Sequence, residues 1–361
     1  MKIEPSKNLF EVMNKLFLVL FSVLPFLSAM GNPPMPITQD LASLCEDSLQ
    51  KNWAVFTDLL CWHVGEVGTI PNSTIAVTVN SDLVTKLNLN NLNFHWDLGY
   101  RIGGRYANLG QNQWGISLYY TWFRTEAKKE GAFDGFVGIP TGFPLTGTIS
   151  DADFAELFWL FGAHKYDARW DLLYNIFDLE VDREYLVSKT ISLRPYLGLR
   201  GGWIHQNIHI HSIYFDALTN NTPVPAKEEL KNHFWGIGPS CGLDSKWCFG
   251  HVSDHSFYLF GALSSSYMWG FWHFSDQLAI GDTINGRLNP RHRSGGSLMF
   301  QDLLGFEWSV KLNKRDSIFS LRLGFESQYW FDQLEVFNAY NGRQHNALTL
   351  QGGTFDLHFS Y

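Results

Sequence analysis

The sequence predicts an all-β fold, a transmembrane antiparallel β-barrel of the bacterial outer membrane with ten strands. Three observations carry that prediction. From Phe94 to Ile102 every second residue is large and apolar (Phe94, Trp96, Leu98, Tyr100, Ile102), with His95, Asp97, Gly99 and Arg101 between them. A period of two puts the two sets on opposite faces of a strand. Aromatic residues make up 16% of the 361 residues and charged ones only 17%, against about a quarter in an ordinary soluble domain. The mean hydropathy of −0.12 excludes a bundle of membrane helices but suits a barrel, where only alternate strand residues meet lipid. Finally, strand candidates are joined alternately by short and long links, as in barrels with short periplasmic turns and long outer loops.

The chain opens on an export signal. Lys15 supplies a positive start, Leu16 to Leu27 form an apolar core, and Ala29-Met30-Gly31 offer small residues for a cut. The apolar run is shorter than the ~20 residues a spanning helix needs. Residues 1–31 are therefore read as signal peptide, with Met13 an alternative start. Residues 32–51, polar and carrying Pro33, Pro34 and Pro36, form a periplasmic lead-in, and 52–361 the barrel.

The expected strands run over 52–64, 91–105, 112–126, 165–181, 190–215, 231–245, 255–272, 296–312, 317–333 and 347–361. In the third, Trp114, Ile116, Leu118, Tyr120 and Trp122 share a face. Its two Trp lie about 26 Å apart along a strand, which after tilting matches the ~25 Å apolar band between aromatic girdles. The fourth alternates at Ala168, Trp170, Leu172, Tyr174 and Ile176. In the fifth, Leu197 and Leu199 oppose Arg194 and Arg200, and the pattern changes phase at Gly201-Gly202, which predicts a β-bulge. Trp235, Ile237, Cys241 and Leu243 mark the sixth, and Phe257, Leu259, Leu263, Tyr267 and Trp269 the seventh. Leu304, Phe306, Trp308, Val310 and Leu312 mark the eighth, with a tight turn at 313–316. Phe319, Leu321, Leu323 and Phe325 mark the ninth. The tenth ends Phe355, Leu357, Phe359, Tyr361, which resembles the C-terminal signal of outer-membrane barrels and implies recognition by the barrel-assembly machinery. Segments 65–90 and 127–164 could each hide a hairpin, so twelve or fourteen strands keep the same topology.

Several strands together are similar to the Legionella-type major outer membrane proteins, a pore-forming group that includes porin-like proteins of environmental chlamydiae. The matching pieces are Phe56-Thr57-Asp58-Leu59-Leu60-Cys61-Trp62, Trp96-Asp97-Leu98-Gly99-Tyr100-Arg101-Ile102-Gly103 and Asp178-Leu179-Glu180-Val181-Asp182-Arg183. Leu193-Arg194-Pro195-Tyr196-Leu197-Gly198-Leu199-Arg200-Gly201 and Gly236-Ile237-Gly238-Pro239 with Gly242-Leu243-Asp244 complete them. Asp182 departs from the pattern, where a small residue is expected. The resemblance implies an outer-membrane porin for passive diffusion of small hydrophilic solutes and ions. It implies no catalytic residue and no cofactor.

Asp97, Arg101, Arg194, Arg200, Glu307, Lys311, Arg322 and Glu326 fall on expected inward faces. They line a pore if the lumen is open, or fill a narrow barrel with ion pairs if it is closed; at ten strands the closed alternative is strong. That alternative is a structural or adhesive barrel. An outer-membrane hydrolase needs a nucleophile, a base and an orienting group, and no local motif supplies them. His205, His209 and His211 share a strand face, but no cysteine or carboxylate stands beside them at zinc-site spacing, so no metal is expected. Cys45 and Cys248 are candidates for a disulfide, supported by cross-linking in the resembling family, while Cys241 lies on the apolar face. Expected partners are outer-membrane lipid and the assembly machinery; self-association is left open. The net charge of −8 with no basic stripe excludes nucleic acid.

Overall fold

The computed structural model describes residues 52–67, 74–77, 87–90, 94–109, 114–132, 138–139, 163–216, 222–281, 283–312, 317–338 and 342–361. The signal segment, the lead-in with Cys45, and the turn 313–316 lie outside these. The strands are β1 (Trp53–Val67), β2 (Thr74–Val77), β3 (Leu87–Asn90), β4 (Trp96–Leu109), β5 (Trp114–Ala132), β6 (Gly138–Ile139) and β7 (Ala163–Arg183). They continue with β8 (Tyr185–Ser188), β9 (Ile191–Asp216), β10 (Thr222–Val252), β11 (His255–Ile280), β12 (Thr283–Leu312), β13 (Ser317–Asn338) and β14 (Gly342–Ser360).

Ten of these close into an antiparallel barrel in the order β1-β4-β5-β7-β9-β10-β11-β12-β13-β14, with β14 pairing back onto β1. β8 is a short addition to the edge of β9, and β2, β3 and β6 form a separate small sheet. Those three lie in the two long segments where further barrel strands were conceivable, and they do not join the wall. Closure is made by reciprocal backbone bonds: Trp53 N–H to Tyr361 O at 3.1 Å and Tyr361 N–H to Trp53 O at 2.9 Å. Both described ends of the wall thus sit at the end carrying the short turns, the periplasmic end of an even-stranded barrel. One such turn is Ser253-Asp254, where Val252 pairs with His255 and Ser253 takes φ 56°, the positive φ that two-residue hairpin turns demand.

Outward faces carry the sequence alternation. Leu98, Ile102, Leu118, Leu197, Leu199, Ile237, Leu304, Phe306, Leu323 and Phe355 are all exposed on the barrel's outside. Aromatic residues bound this apolar belt. Near the periplasmic rim Trp53 packs on Tyr106 at 4.6 Å; on the other side Tyr100 stacks on Trp122 at 5.4 Å, and Trp235 on Phe271 at 5.4 Å.

The strands outrun the membrane. β10 has 31 residues, roughly 100 Å at ~3.3 Å per residue, where a spanning strand needs only ~9–11 residues. Beyond the upper girdle the pattern inverts. Outward positions become polar, as in His205, Asn207, His209 and His211 of β9, while Ile204, Ile208 and Ile210 are buried inside. This inversion has two consequences, the second a correction. Ala168, Trp170, Leu172, Tyr174 and Ile176 of β7 face inward, each buried, because that half of the strand wraps an apolar interior. No bulge lies at Gly201-Gly202: the register runs unbroken from Leu199↔Pro239 to Trp203↔Trp235. The phase change there is the crossing from lipid to water. Gly202 is needed because any Cβ at that position would collide with the Asn175 carbonyl of β7.

Candidate functional site: the barrel lumen

Alternation aims two different sets of side chains into the lumen. In the periplasmic half the inward residues are charged. Arg101 reaches Asp58 at 3.1 Å and Glu326 at 2.9 Å, bridging β4 to β1 and β13. Arg322 holds Glu307 at 2.8 Å and Asp356 at 3.4 Å, and Lys246 reaches Glu307 at 2.6 Å. Arg194 bridges Asp182, at 3.3 Å, to Asp244. Arg105 also reaches Asp182, and Arg200 pairs with Asp178 and donates to Gln301 Oε1 at 3.1 Å. All of these but Asp182 and Glu326 line a cavity of about 260 Å³ together with Tyr119, Tyr196 and Thr121. Six cations (Arg101, Arg105, Arg194, Arg200, Lys246, Arg322) meet nine acids (Asp58, Asp178, Glu180, Asp182, Glu184, Asp244, Glu307, Glu326, Asp356). Seven of those acids line the cavity, all but Asp182 and Glu326, so the lining carries one more acid than cations.

The extracellular half is filled mainly with apolar side chains, with Gln206, Glu228, Asn232, Asp276, Gln333 and Asn346 buried among them. Leu60, Trp62, Phe123, Trp170, Leu172, Leu230, Phe234, Met268, Trp272, Met299, Trp330, Leu334 and Leu348 are buried in one contiguous cluster. Ring contacts run straight across. Phe123 lies 5.5 Å from Trp62, Trp62 lies 6.2 Å from Tyr174, and Tyr174 lies 5.9 Å from Trp330. Tyr174 and Trp330 stand on the fourth and ninth of the ten strands in barrel order, which is diametrically opposite. Tyr174 also donates to Gln328 Oε1 at 2.9 Å, and Gln328 donates to Glu326 at 2.7 Å. The aromatic layer and the ion-pair network thus form one connected interior. A barrel this narrow brings opposite walls within side-chain reach.

Of the residues singled out from sequence, Arg101, Arg194, Arg200, Glu307, Arg322 and Glu326 come together in this network. Asp97 faces inward but higher, accepting from Thr125 Oγ1. Lys311 sits by the Ser253-Asp254 turn, its N–H bonded to Asp254 O at 3.0 Å. Sequence reasoning missed Asp58, Arg105, Asp178, Asp182, Asp244, Lys246 and Asp356. Inward parity would have found most of them, Asp58 among them, which is Arg101's partner. Asp182, the departure from the family pattern, is fully buried between Arg105 and Arg194. Cys248 is disulfide-bonded, whereas Cys61 and Cys241 are free thiols on the outer face. Among the described residues no group of three histidines, cysteines or carboxylates is arranged to hold a metal.

A closed, lipid-belted, even-stranded antiparallel wall with a polar lower lumen defines an outer-membrane β-barrel protein. The particular lineage is given by a family match over residues 48–361: the chain belongs to the Legionella pneumophila major outer membrane protein precursor family. It resides in the bacterial outer membrane. No curated protein matches it. Among solved structures it is similar to the outer membrane protease OmpT from Escherichia coli, with 12% identity over 86% of this chain and 97% of that one, TM-score 0.38. A major outer membrane protein from Thermus thermophilus matches with 13% identity over 85% and 99%, TM-score 0.24. The Pseudomonas putida toluene transporter TodX matches with 8% identity over 88% and 91%, TM-score 0.30. At these scores the likenesses are distant, and nothing about function follows from them.

Proposed function

We propose that this chain is a structural outer-membrane barrel whose lumen is sealed against steady passive diffusion, and that it does no catalytic chemistry. The observation that carries this is the Tyr174–Trp330 contact across the full width of the barrel, 5.9 Å between ring centroids. A hydrated ion cannot pass a layer of fully buried aromatic rings without unpacking it. Below that layer the lumen's cations are each held in ion pairs. Buried pairs of this kind are strongly destabilising to break singly, at ~3–5 kcal/mol, which fits a load-carrying wall better than a lining that passing ions must contact.

A second reading, a porin for small hydrophilic solutes, is favoured by one observation: the 260 Å³ cavity with a charged lining in the periplasmic half. Its excess of acids would make such a pore prefer cations. Purified, heat-modifiable full-length protein in planar lipid bilayers separates the two. The sealed barrel gives no steady conductance at physiological salt. Reproducible long-lived conductance steps would overturn it in favour of the porin.

A further inference from the structure

The outer face carries a second feature that neither the seal nor the ion-pair network uses. His205 on β9, His233 on β10 and His273 on β11 are direct cross-strand partners, His205↔His233 and His233↔His273. All three point outward by parity with Trp203, Trp235 and Phe271, and each stands two residues beyond that aromatic on the extracellular side. The row therefore lies where the apolar belt ends and the head groups of the outer leaflet begin. His205 and His233 stack at 4.3 Å. Lys231 is next outward on β10, its side chain 45% exposed, with Lys227 four residues further. His209 and His211 continue β9 past the same level.

A merely solvated strand end does not align three imidazoles in register on adjacent strands. A metal site would aim their nitrogens at one point. Here the His205 and His233 rings lie face to face, and the His233 Nε2 is 2.9 Å from Asn207 Oδ1. We propose that the His205–His233–His273 row, with Lys231 and Lys227, is a docking surface for the phosphate groups of an outer-leaflet lipid. Phosphate offers several acceptor oxygens to N–H donors and pairs strongly with cations. Proton uptake couples to this binding. Without an anion, charging one imidazole opposes charging its neighbours and faces Lys231 as well; Glu229, which lies 3.9 Å from Lys231, Asp167 and the Asp171–Arg169 pair at 3.0 Å on β7 carry charge on these strands, and on β12 His292 is the cross-strand partner of His273. A bound phosphate relieves that repulsion, so binding draws protons onto the row and strengthens as pH falls towards 6.

The test uses folded full-length protein in detergent and two probes, bis-phosphorylated lipid A and the same lipid stripped of phosphate. Retention is read by native mass spectrometry at pH 7.5 and pH 6. The wild type should retain the phosphorylated lipid about tenfold better than the stripped one, the ratio expected from one or two charge-assisted contacts, and retain more at pH 6. His205→Gln/His233→Gln/His273→Gln should lose the pH dependence while remaining heat-modifiable; Lys231→Gln should weaken retention but keep it. Equal retention of both lipids, or an unchanged triple variant, would overturn the proposal. Displacement by millimolar inorganic phosphate would do the same, since it marks a site for small anions in place of a lipid head group.

Discussion

Gly99 and Ile102 stand on the same strand and face opposite surroundings. Ile102 is 48% exposed on the outer face, between Trp96 and Tyr106 on that face. An arginine there meets the bilayer interior, so Ile102→Arg should lower stability by ~2–4 kcal/mol. Leu98 lies only two residues from Trp96, where the same change costs less. Gly99 faces the lumen, as the alternation predicts, and a lumen position looks permissive. It is not: a Cβ at Gly99 would come within 2.7 Å of the Trp122 carbonyl oxygen and 2.9 Å of Phe123 Cδ2. Gly99→Ala should cost ~1–3 kcal/mol, the usual penalty of overpacking. Reversible urea unfolding in lipid vesicles measures both; a neutral Gly99→Ala would mean that β4 and β5 are farther apart than described. Which way each side chain points was legible in the sequence, because parity is local. The room beside it was not, because that room is set by Phe123 on the next strand.

At the scale of elements, the last strand does more than terminate the chain. Phe359 is the cross-strand partner of both Val55 on β1 and Phe319 on β13, and Tyr361 exchanges two backbone bonds with Trp53. Deleting Phe359 to Tyr361 leaves the ends of β1 and β13 as open edges, which a barrel in lipid cannot tolerate. The deletion should abolish the heat-modifiable species in outer-membrane fractions and leave degraded or aggregated material; a normal yield of heat-modifiable barrel would contradict this. The ten wall strands were legible because each keeps a period of two and the links alternate in length. What misled was the assumption that the apolar face is always the outer one. On β7 the apolar set Trp170, Leu172, Tyr174 and Ile176 looks inward, while Phe177, Leu179 and Val181 of the same strand look outward. A strand longer than the membrane is thick changes its outside solvent partway along, and its apolar side changes with it.

For the whole molecule the question is how deep the seal runs. The sequence placed arginines inside but could not say what they face, since Arg101 and Glu326 are 225 residues apart. Nor could it show that the upper lumen is mostly apolar, because that follows from where the girdle cuts each strand. The seal is several layers deep: on β1 alone Leu60, Trp62 and Val64 are successive inward, buried residues. Removing one layer should therefore leave the others closed. Tyr174→Ala with Trp330→Ala takes out the pair that meets across the barrel. Each truncation alone should cost ~3–5 kcal/mol, as for other buried aromatics. The double variant should cost less than the sum, because the two rings touch each other and the first deletion already removes that contact. In planar bilayers it should still show no steady conductance, with Trp62, Phe123, Trp272 and the aliphatic layers above remaining in place. A steady conductance appearing only in the double variant would make the Tyr174–Trp330 pair the gate of a pore, and the sealed structural barrel would give way to the porin.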